Sequence, residues 1–395
     1  MTVKVTSILL PEKGVDLSRY AVIACDQFTS QPQYWEEVNS LTKGYPSTRH
    51  ITLPEIYLSK TTESDIALIN AQMKSYLQKG VLKDIGESMV LVIRSTPFAK
   101  RRVGIVLAVD LENYDYAPKS ASAVRATEGT VLERIPPRIR IRKDALLELP
   151  HIMLLYDDKE NKVLQPLLNN LDKMPLLYDA ELMCNGGHLT GYKIENAQEV
   201  AQRIEQTKKG SILFAVGDGN HSLATAKALW EELKKDLSQE ERQNHPARFA
   251  LAEAVNLYDE GLVFQPIHRV VFNAPKALMD ELASIGGKRK CQMYFEGKNI
   301  TLNLPIGSVD AVSAVQKVID KYVAQGVCTV DYVHGEADTR FVVDGHKGSL
   351  GILLPTLQKE ELFSYVEKNG PLPRKTFSMG EAVEKRYYME ARKIK

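Results

Sequence analysis

The segment SILFAVGDGNHSLATAKALWEEL, residues 211–233, leaves the chain few ways to fold locally. A short apolar run from Ile212 to Val216 gives way to Gly217-Asp218-Gly219-Asn220-His221-Ser222. Apolar residues then recur at helical spacing, at Leu223, Ala226, Leu229, Trp230 and Leu233. A strand, a glycine-rich turn and a helix start follow in that order. The first amides of a helix lack partners within it, and the helix dipole adds partial positive charge there. Such a turn is an anion site. The glycines admit positive φ and let a ligand approach the backbone closely. Asp218 and His221 add chemistry, since a carboxylate can hold Mg²⁺ or accept a proton and an imidazole can donate to a phosphoryl oxygen. The competing account is an ordinary connection in which Asp and Asn form the turn and Ser222 is an N-cap. The loop fits neither GxxxxGK[ST] nor GxGxxG, and no HRD or DFG signature of protein kinases is present.

Length and charge narrow the class. A chain of 395 residues exceeds what one hydrophobic core usually serves, so two domains are expected. With 51 basic and 50 acidic residues the chain is neutral, which argues against nucleic-acid and membrane-surface partners. No apolar run approaches the roughly 20 residues of a membrane helix, and the N-terminal apolar stretch is too short for a signal peptide. Cys25, Cys184, Cys291 and Cys328 lack CxxC spacing, and the eight histidines show no HExxH. These features predict a cytoplasmic protein that handles small molecules.

Periodicity predicts a mixed α/β (α+β) chain. Residues 20–25 read as a buried strand followed by the turn Asp26-Gln27-Phe28-Thr29-Ser30. Residues 62–79 read as an amphipathic helix with Thr62 as N-cap, and 88–98 with 102–111 as a hairpin. Residues 114–130 lack a period and predict a long loop. Strands are expected at 149–156, 249–257, 261–264, 291–295, 300–304, 328–334 and 341–343, and helices at 197–206, 275–285 and 308–325. A capping box at Ser378 and Glu381 predicts a last helix, and Asp344-Gly345-His346 a hairpin turn. The organisation that follows is a phosphoryl-binding α/β domain over 1–273, an α+β subdomain over 274–350 and a C-terminal helical segment over 351–395.

Basic residues concentrate between Arg125 and Arg142. Read as a strand, residues 138–142 would place Arg138, Arg140 and Arg142 on one face, where they either meet anions or lie in solvent. Arg125, Thr127, Thr130 and Arg134 are candidates for binding phosphate together with Gly217, Gly219, Asn220 and Ser222. Weaker substrate-binding candidates are Gln27 and Thr29 in the first turn, His188 after Gly186-Gly187, the His268–Arg269 pair, and Lys385 with Arg386.

The stretches RATEGTVLERIPPR (125–138), LPHIMLLYDD (149–158), AVGDGNHSLATAKA (215–228) and HPARFALAEAVN (245–256) resemble the domain of unknown function 1015 family over nearly the whole length. The commoner family form of the third stretch reads ADGHHR; here Asp218, Gly219 and His221 match, while Ser222 stands where an Arg is usual. That loop is also similar to the loop of the ParB/sulfiredoxin-like superfamily, which includes free serine kinases. The resemblance implies a mixed-sheet core of that type and a kinase that phosphorylates free L-serine to O-phospho-L-serine. The opening DQFTSQPQYWEE (26–37) resembles that of members using pyrophosphate as donor. In that reading Asp218 binds Mg²⁺, His221 and the turn amides hold the transferring phosphoryl, and Arg125 and Arg134 hold the rest of the donor. Asp26 or Glu128 is the base. An ATP- or ADP-dependent kinase, a phosphatase or other hydrolase with the same loop, and a non-catalytic ParB-like nucleotide-binding regulator are the alternatives.

Overall fold

In the computed structural model, which describes residues 1–395, the chain forms two units. One comprises Met1–Ala126, Thr130–Leu262 and Glu381–Lys395; the other comprises Thr127–Gly129 and Val263–Gly380.

The larger unit is built on β1 (Val3–Lys4), β2 (Thr6–Pro11), β3 (Leu82–Ser95), β4 (Arg102–Asp110), β5 (Tyr114–Asp115), β6 (Val124–Ala126), β7 (Leu147–Glu148), β8 (Met153–Tyr156), β9 (Leu176–Leu182), β10 (Gly187–Ile194), β11 (Phe214–Asp218) and β12 (Phe249–Asn256). All of these except β7 join one mixed sheet in the order β5-β6-β11-β8-β12-β4-β3-β10-β9, with β1 beside β4 and β2 beside β3. β5, β6 and β11 run parallel, as do β8 and β12, and the other pairs are antiparallel.

Strand alternation explains why this sheet has a core on each face. Every residue of β4 is buried. Val103, Ile105, Leu107 and Val109 enter one core with Met89, Leu91, Ala250 and Ala252, whereas Val106 enters the other with Val90, Val92 and Leu251. Successive side chains of a strand point to opposite faces, so a strand covered on both sides reads as a continuous apolar run. The first face is covered by the helices Ala197–Glu205 and Asn220–Leu233, through Val200, Ile204, Leu223 and Trp230. The second is covered by Pro32–Thr42 and Glu63–Gln78, through Trp35, Val38, Met73 and Tyr76. Thr62 caps the latter helix in a capping box with Asp65, as its position predicts.

The smaller unit holds β13 (Phe264–Phe272), β14 (Arg289–Phe295), β15 (Lys298–Leu304), β16 (Thr329–His334), β17 (Leu350–Leu353) and β18 (Phe377–Met379), in the order β15-β14-β17-β13-β16 with β18 on β13. The helices Lys276–Ala283 and Ser308–Ala324 pack Leu278, Leu282, Val312 and Ile319 into its core. The segment 274–350 lies inside this unit, which also takes in β13 and β18.

Several expectations need correction. Residues 138–142 are not a strand but the end of the helix Ile135–Arg142, whose Pro136 and Pro137 sit in the first turn, where a missing N–H costs nothing. Residues 20–24 are buried and Cys25 is half-buried, but the segment contributes only one isolated bridge, Ile23 to Tyr387. Residues 341–343 lie in the helix Glu336–Asp344, so Asp344-Gly345-His346 is a helix end. No helix opens at Ser378: that residue is in β18, and Glu381 caps only a short 3₁₀ turn with Glu384. The expected loop 114–130 carries β5 and β6, and residues 261–263 are not strand.

Candidate active site

The predicted strand–turn–helix forms. β11 ends at Asp218, Gly219 adopts φ +77° at the N-cap, and the helix runs Asn220–Leu233. The left-handed backbone explains the glycine, and so does packing, because a Cβ there would lie 2.9 Å from Ile152 Cα. The register of β11 against β8 shifts between Val216 and Asp218, a bulge that re-aims the carboxylate at the strand end. Asp218 Oδ1 accepts from the Gly219 N–H at 2.9 Å. The first helical hydrogen bond runs from Leu223 N–H to Gly219 O, so the amides of Asn220, His221 and Ser222 have no carbonyl within the helix. The N-cap is Gly219, which places Ser222 inside the first turn rather than at the cap.

Charged groups from distant parts of the chain converge on this turn. Lys385 Nζ stands 3.3 Å from Asp218 Oδ2. Its neighbour Arg386 is buried between Glu253 and Glu390 and donates through Nε to Pro150 O at 2.8 Å. Arg386 therefore positions Lys385 and is itself no ligand-facing group. Gly104 leaves the space that the Glu253 carboxylate occupies, since a Cβ on Gly104 would overlap Glu253 Oε1.

Asp26, in the turn after the 20–25 segment, accepts from Gln27 Nε2 at 2.9 Å. Burial pushes its carboxyl above the ordinary carboxylate range, the nearby His151 opposes the shift, and the charge of Asp218 adds to it. Trp35 Nε1 donates to Gln27 O at 3.2 Å and fixes this turn. His221 Nε2 accepts from Val131 N–H at 3.3 Å. Burial pushes His221 below its usual pKa, Arg134 and Arg138 push the same way, and Glu55 opposes them. A neutral imidazole with its proton on Nδ1 follows.

The three arginines of the misread strand each meet a carboxylate. Arg138 Nε donates to Glu55 Oε1 at 2.8 Å, Arg140 pairs with Glu63 at 3.0 Å, and Arg142 pairs with Glu148 at 2.5 Å. A pocket of about 160 Å³ opens beside the turn. It is lined by apolar residues, among them Ile51, Leu58, Met73 and Ile152, and by the ion-paired Glu55, Arg138, Arg142 and Glu148, with His151 and Ser222 also on its wall.

The family model for proteins of unknown function designated DUF1015 matches residues 9–332. The chain belongs to this family. No curated protein matches it. Among solved structures, a free serine kinase variant in complex with ADP is similar at 10% identity, with a TM-score of 0.41, covering 73% of this chain and 92% of that one. A free serine kinase in complex with AMP is similar at 11% identity and TM-score 0.38, covering 76% and 95%. A conserved hypothetical protein from Pyrococcus furiosus is similar at 12% and 0.35, covering 72% and 90%.

Of the residues singled out in this family member, Asp218, His221, Ser222, Asp26, Gln27, Arg134 and Lys385 come together around the turn. Asn220 Oδ1 and Thr130 Oγ1 are buried without a hydrogen-bond partner. Arg125 instead donates to Ser122 O and Ser211 Oγ. Thr127 and Glu128 belong to the smaller unit, where Thr127 O accepts from Leu372 N–H and Glu128 bridges Leu372. His268 and Arg269 are buried there as well. His268 Nδ1 accepts from Leu354 N–H, and Arg269 donates to Gln316 and to Ile267 O. His188 lies in the β9–β10 hairpin between Asp179 and Glu181, and Thr29 is exposed. The sequence reading gave no role to Glu55, His151 or Tyr388. His151 was the findable one, a lone polar ring ahead of the apolar run of β8.

For Mg²⁺ the donor type fits. No three His, Cys, Asp or Glu side chains gather into a cage of their own. Mg²⁺ bound with phosphates commonly takes only one or two carboxylates from the protein. Asp218 is the carboxylate that would hold it, and no helix of the chain is long and apolar enough to cross a membrane.

Proposed function

We propose that this protein is a phosphotransferase acting on a small alcohol, most concretely free L-serine, and that the β11–helix turn holds the transferring phosphoryl group. One observation carries the reading: the helix N-terminus, the Asp218–Lys385 pair and the electropositive surroundings of His221 converge with a carboxyl, Asp26, held above its ordinary range. Phosphoryl transfer asks the protein mainly for positioning and charge neutralisation. In this reading the amides of Asn220, His221 and Ser222 and the Lys385 ammonium hold phosphoryl oxygens. Arg134 neutralises the donor's remaining charge. Asp26 takes the proton of the acceptor hydroxyl, burial making it a stronger base than an ordinary carboxylate. Mg²⁺, when bound at Asp218, would add neutralising charge. The neutral balance of the chain disfavours a nucleic-acid-binding regulator.

Pyrophosphate remains our proposed donor, supported by the resemblance of the 26–37 stretch and by Arg134 beside His221. The pocket supports a second reading with a nucleoside phosphate. Its volume of about 160 Å³ is that of a cavity able to take a single aromatic ring, and its wall adds the charged Arg138 and Arg142. The deciding experiment incubates purified protein with L-serine, Mg²⁺ and pyrophosphate, ATP or ADP, and follows products by ³¹P NMR. O-phosphoserine formed with pyrophosphate at the highest kcat/KM is expected. Higher kcat/KM with a nucleotide would replace the donor, and no phosphorylated product with any donor would overturn the function.

A further inference from the structure

Beside the turn stands a hydrogen-bonded chain of side chains that the transfer just described does not use. Ser222 Oγ lies 2.7 Å from His151 Nε2, and His151 Nδ1 lies 2.8 Å from the Tyr388 hydroxyl. The Tyr388 oxygen accepts in turn from the Cys25 N–H at 3.1 Å. Tyr388 is buried and meets the His151 ring edge-on, with centroids 5.7 Å apart at 74°, so the imidazole is held on two sides. Ser222, His151 and Tyr388 all line the pocket.

A hydroxyl in reach of an imidazole that a third group orients is the geometric signature of an activated nucleophile. A capping role does not account for it. The helix N-cap is Gly219, and the Ser222 hydroxyl turns to a ring from another segment of the chain. In the tautomer that carries its proton on Nδ1, toward Tyr388, His151 Nε2 presents the lone pair that the Ser222 proton needs.

We propose that Ser222 is a nucleophile and that transfer runs through an O-phosphoseryl enzyme, with His151 as the catalytic base; this rests on the phosphotransferase reading above. In the first step Ser222 Oγ attacks the terminal phosphorus of the donor. The Oγ–P bond forms, the bond from phosphorus to the bridging oxygen breaks, and its electron pair leaves with the shortened donor. The Ser222 proton passes to His151 Nε2. In the second step the acceptor oxygen attacks the same phosphorus and loses its proton to the Asp26 carboxylate. The P–Oγ bond breaks, and Oγ recovers the proton from His151. The position of Ser222 in the first helical turn leaves the new phosphate beside the Asn220 and His221 amides, where negative charge is favoured.

The full-length protein is mixed with Mg²⁺ and pyrophosphate or ATP labelled in the terminal phosphoryl group, without acceptor, then quenched and mapped by peptide mass spectrometry. Label on Ser222 approaching one per chain is expected, together with parallel-line initial-rate patterns once L-serine is varied. Ser222→Ala should lose the label and at least about 100-fold in kcat, and His151→Gln should slow labelling by about 100-fold, the usual scale for a removed base. Phosphoserine product formed with intersecting rate patterns and no label on Ser222 overturns the phosphoenzyme and leaves the phosphotransferase standing. Ser222→Ala retaining kcat within about threefold does the same. No product and no label with either donor overturns both.

Discussion

Lys385 and Asp218, 167 residues apart in sequence, form an ion pair of 3.3 Å at the mouth of the glycine turn. Neither side chain is part of the apolar core, and Asp218 ends β11 directly before the helix N-terminus, where an anion is favoured. Lys385→Met should therefore leave stability within about 1 kcal/mol while lowering kcat/KM about 100-fold, the scale of one preorganised charged donor. Asp218→Asn should lower activity similarly and remove any Mg²⁺ requirement that Asp218 confers. Steady-state kinetics with thermal melts checks both.

Asp26 couples activity to stability with opposite signs. Its folded pKa is raised, chiefly by burial and further by Asp218. Its contribution to stability is thus fully present below the ordinary carboxylate pKa of about 3.9 and is lost as pH rises through the folded pKa. At pH 8 in EDTA, Asp26→Asn should melt higher than the parent protein while losing most of its turnover. Asp218→Asn should lower the Asp26 pKa and move the acidic limb of the labelling or transfer rate to lower pH. An unmoved limb assigns that limb to another group.

His221 offers a spectroscopic check. Its folded pKa is lowered, first by burial and then by Arg134 and Arg138. The stability it contributes is present above the unfolded value of about 6.5 and is lost as pH falls through the lowered folded value. In ¹⁵N–¹H NMR, His221 should titrate below that value, with the proton on Nδ1 at pH 7. Arg134→Gln should raise its midpoint; a lower midpoint in that variant contradicts the electrostatic account.

Arg386 carries two buried carboxylates, Glu253 and Glu390. Arg386→Met removes the guanidinium that both buried carboxylates share and leaves Glu390 only the Tyr178 hydroxyl, and urea denaturation should show a loss of about 3–5 kcal/mol. Gly104→Ala should also destabilise, because its Cβ overlaps the same Glu253 carboxylate.

Gly219→Ala tests the turn itself. The residue sits at φ +77°, and its Cβ would press on Ile152. A cost of about 1–3 kcal/mol is expected, with a larger proportional loss in donor KM than in acceptor KM.

The 211–233 stretch determined its own local structure, because apolar run, glycines and helical spacing agree at every level and need no distant partner. The Thr62 helix and the β3–β4 hairpin were legible for the same reason. Arg138, Arg140 and Arg142 were misread because alternation over five residues suits a strand, while two prolines beforehand are equally at home in a first helical turn. Only tertiary structure could decide that Lys385 reaches Asp218, that Arg386 is a buried anchor and Arg125 a packed strand residue, and that His151 meets Ser222 and Tyr388. Each of those pairings closes a loop of 71 to 237 residues or depends on a neighbour across the sheet. Local propensity records which way a side chain can point, but its partner is chosen by the packing of the whole sheet.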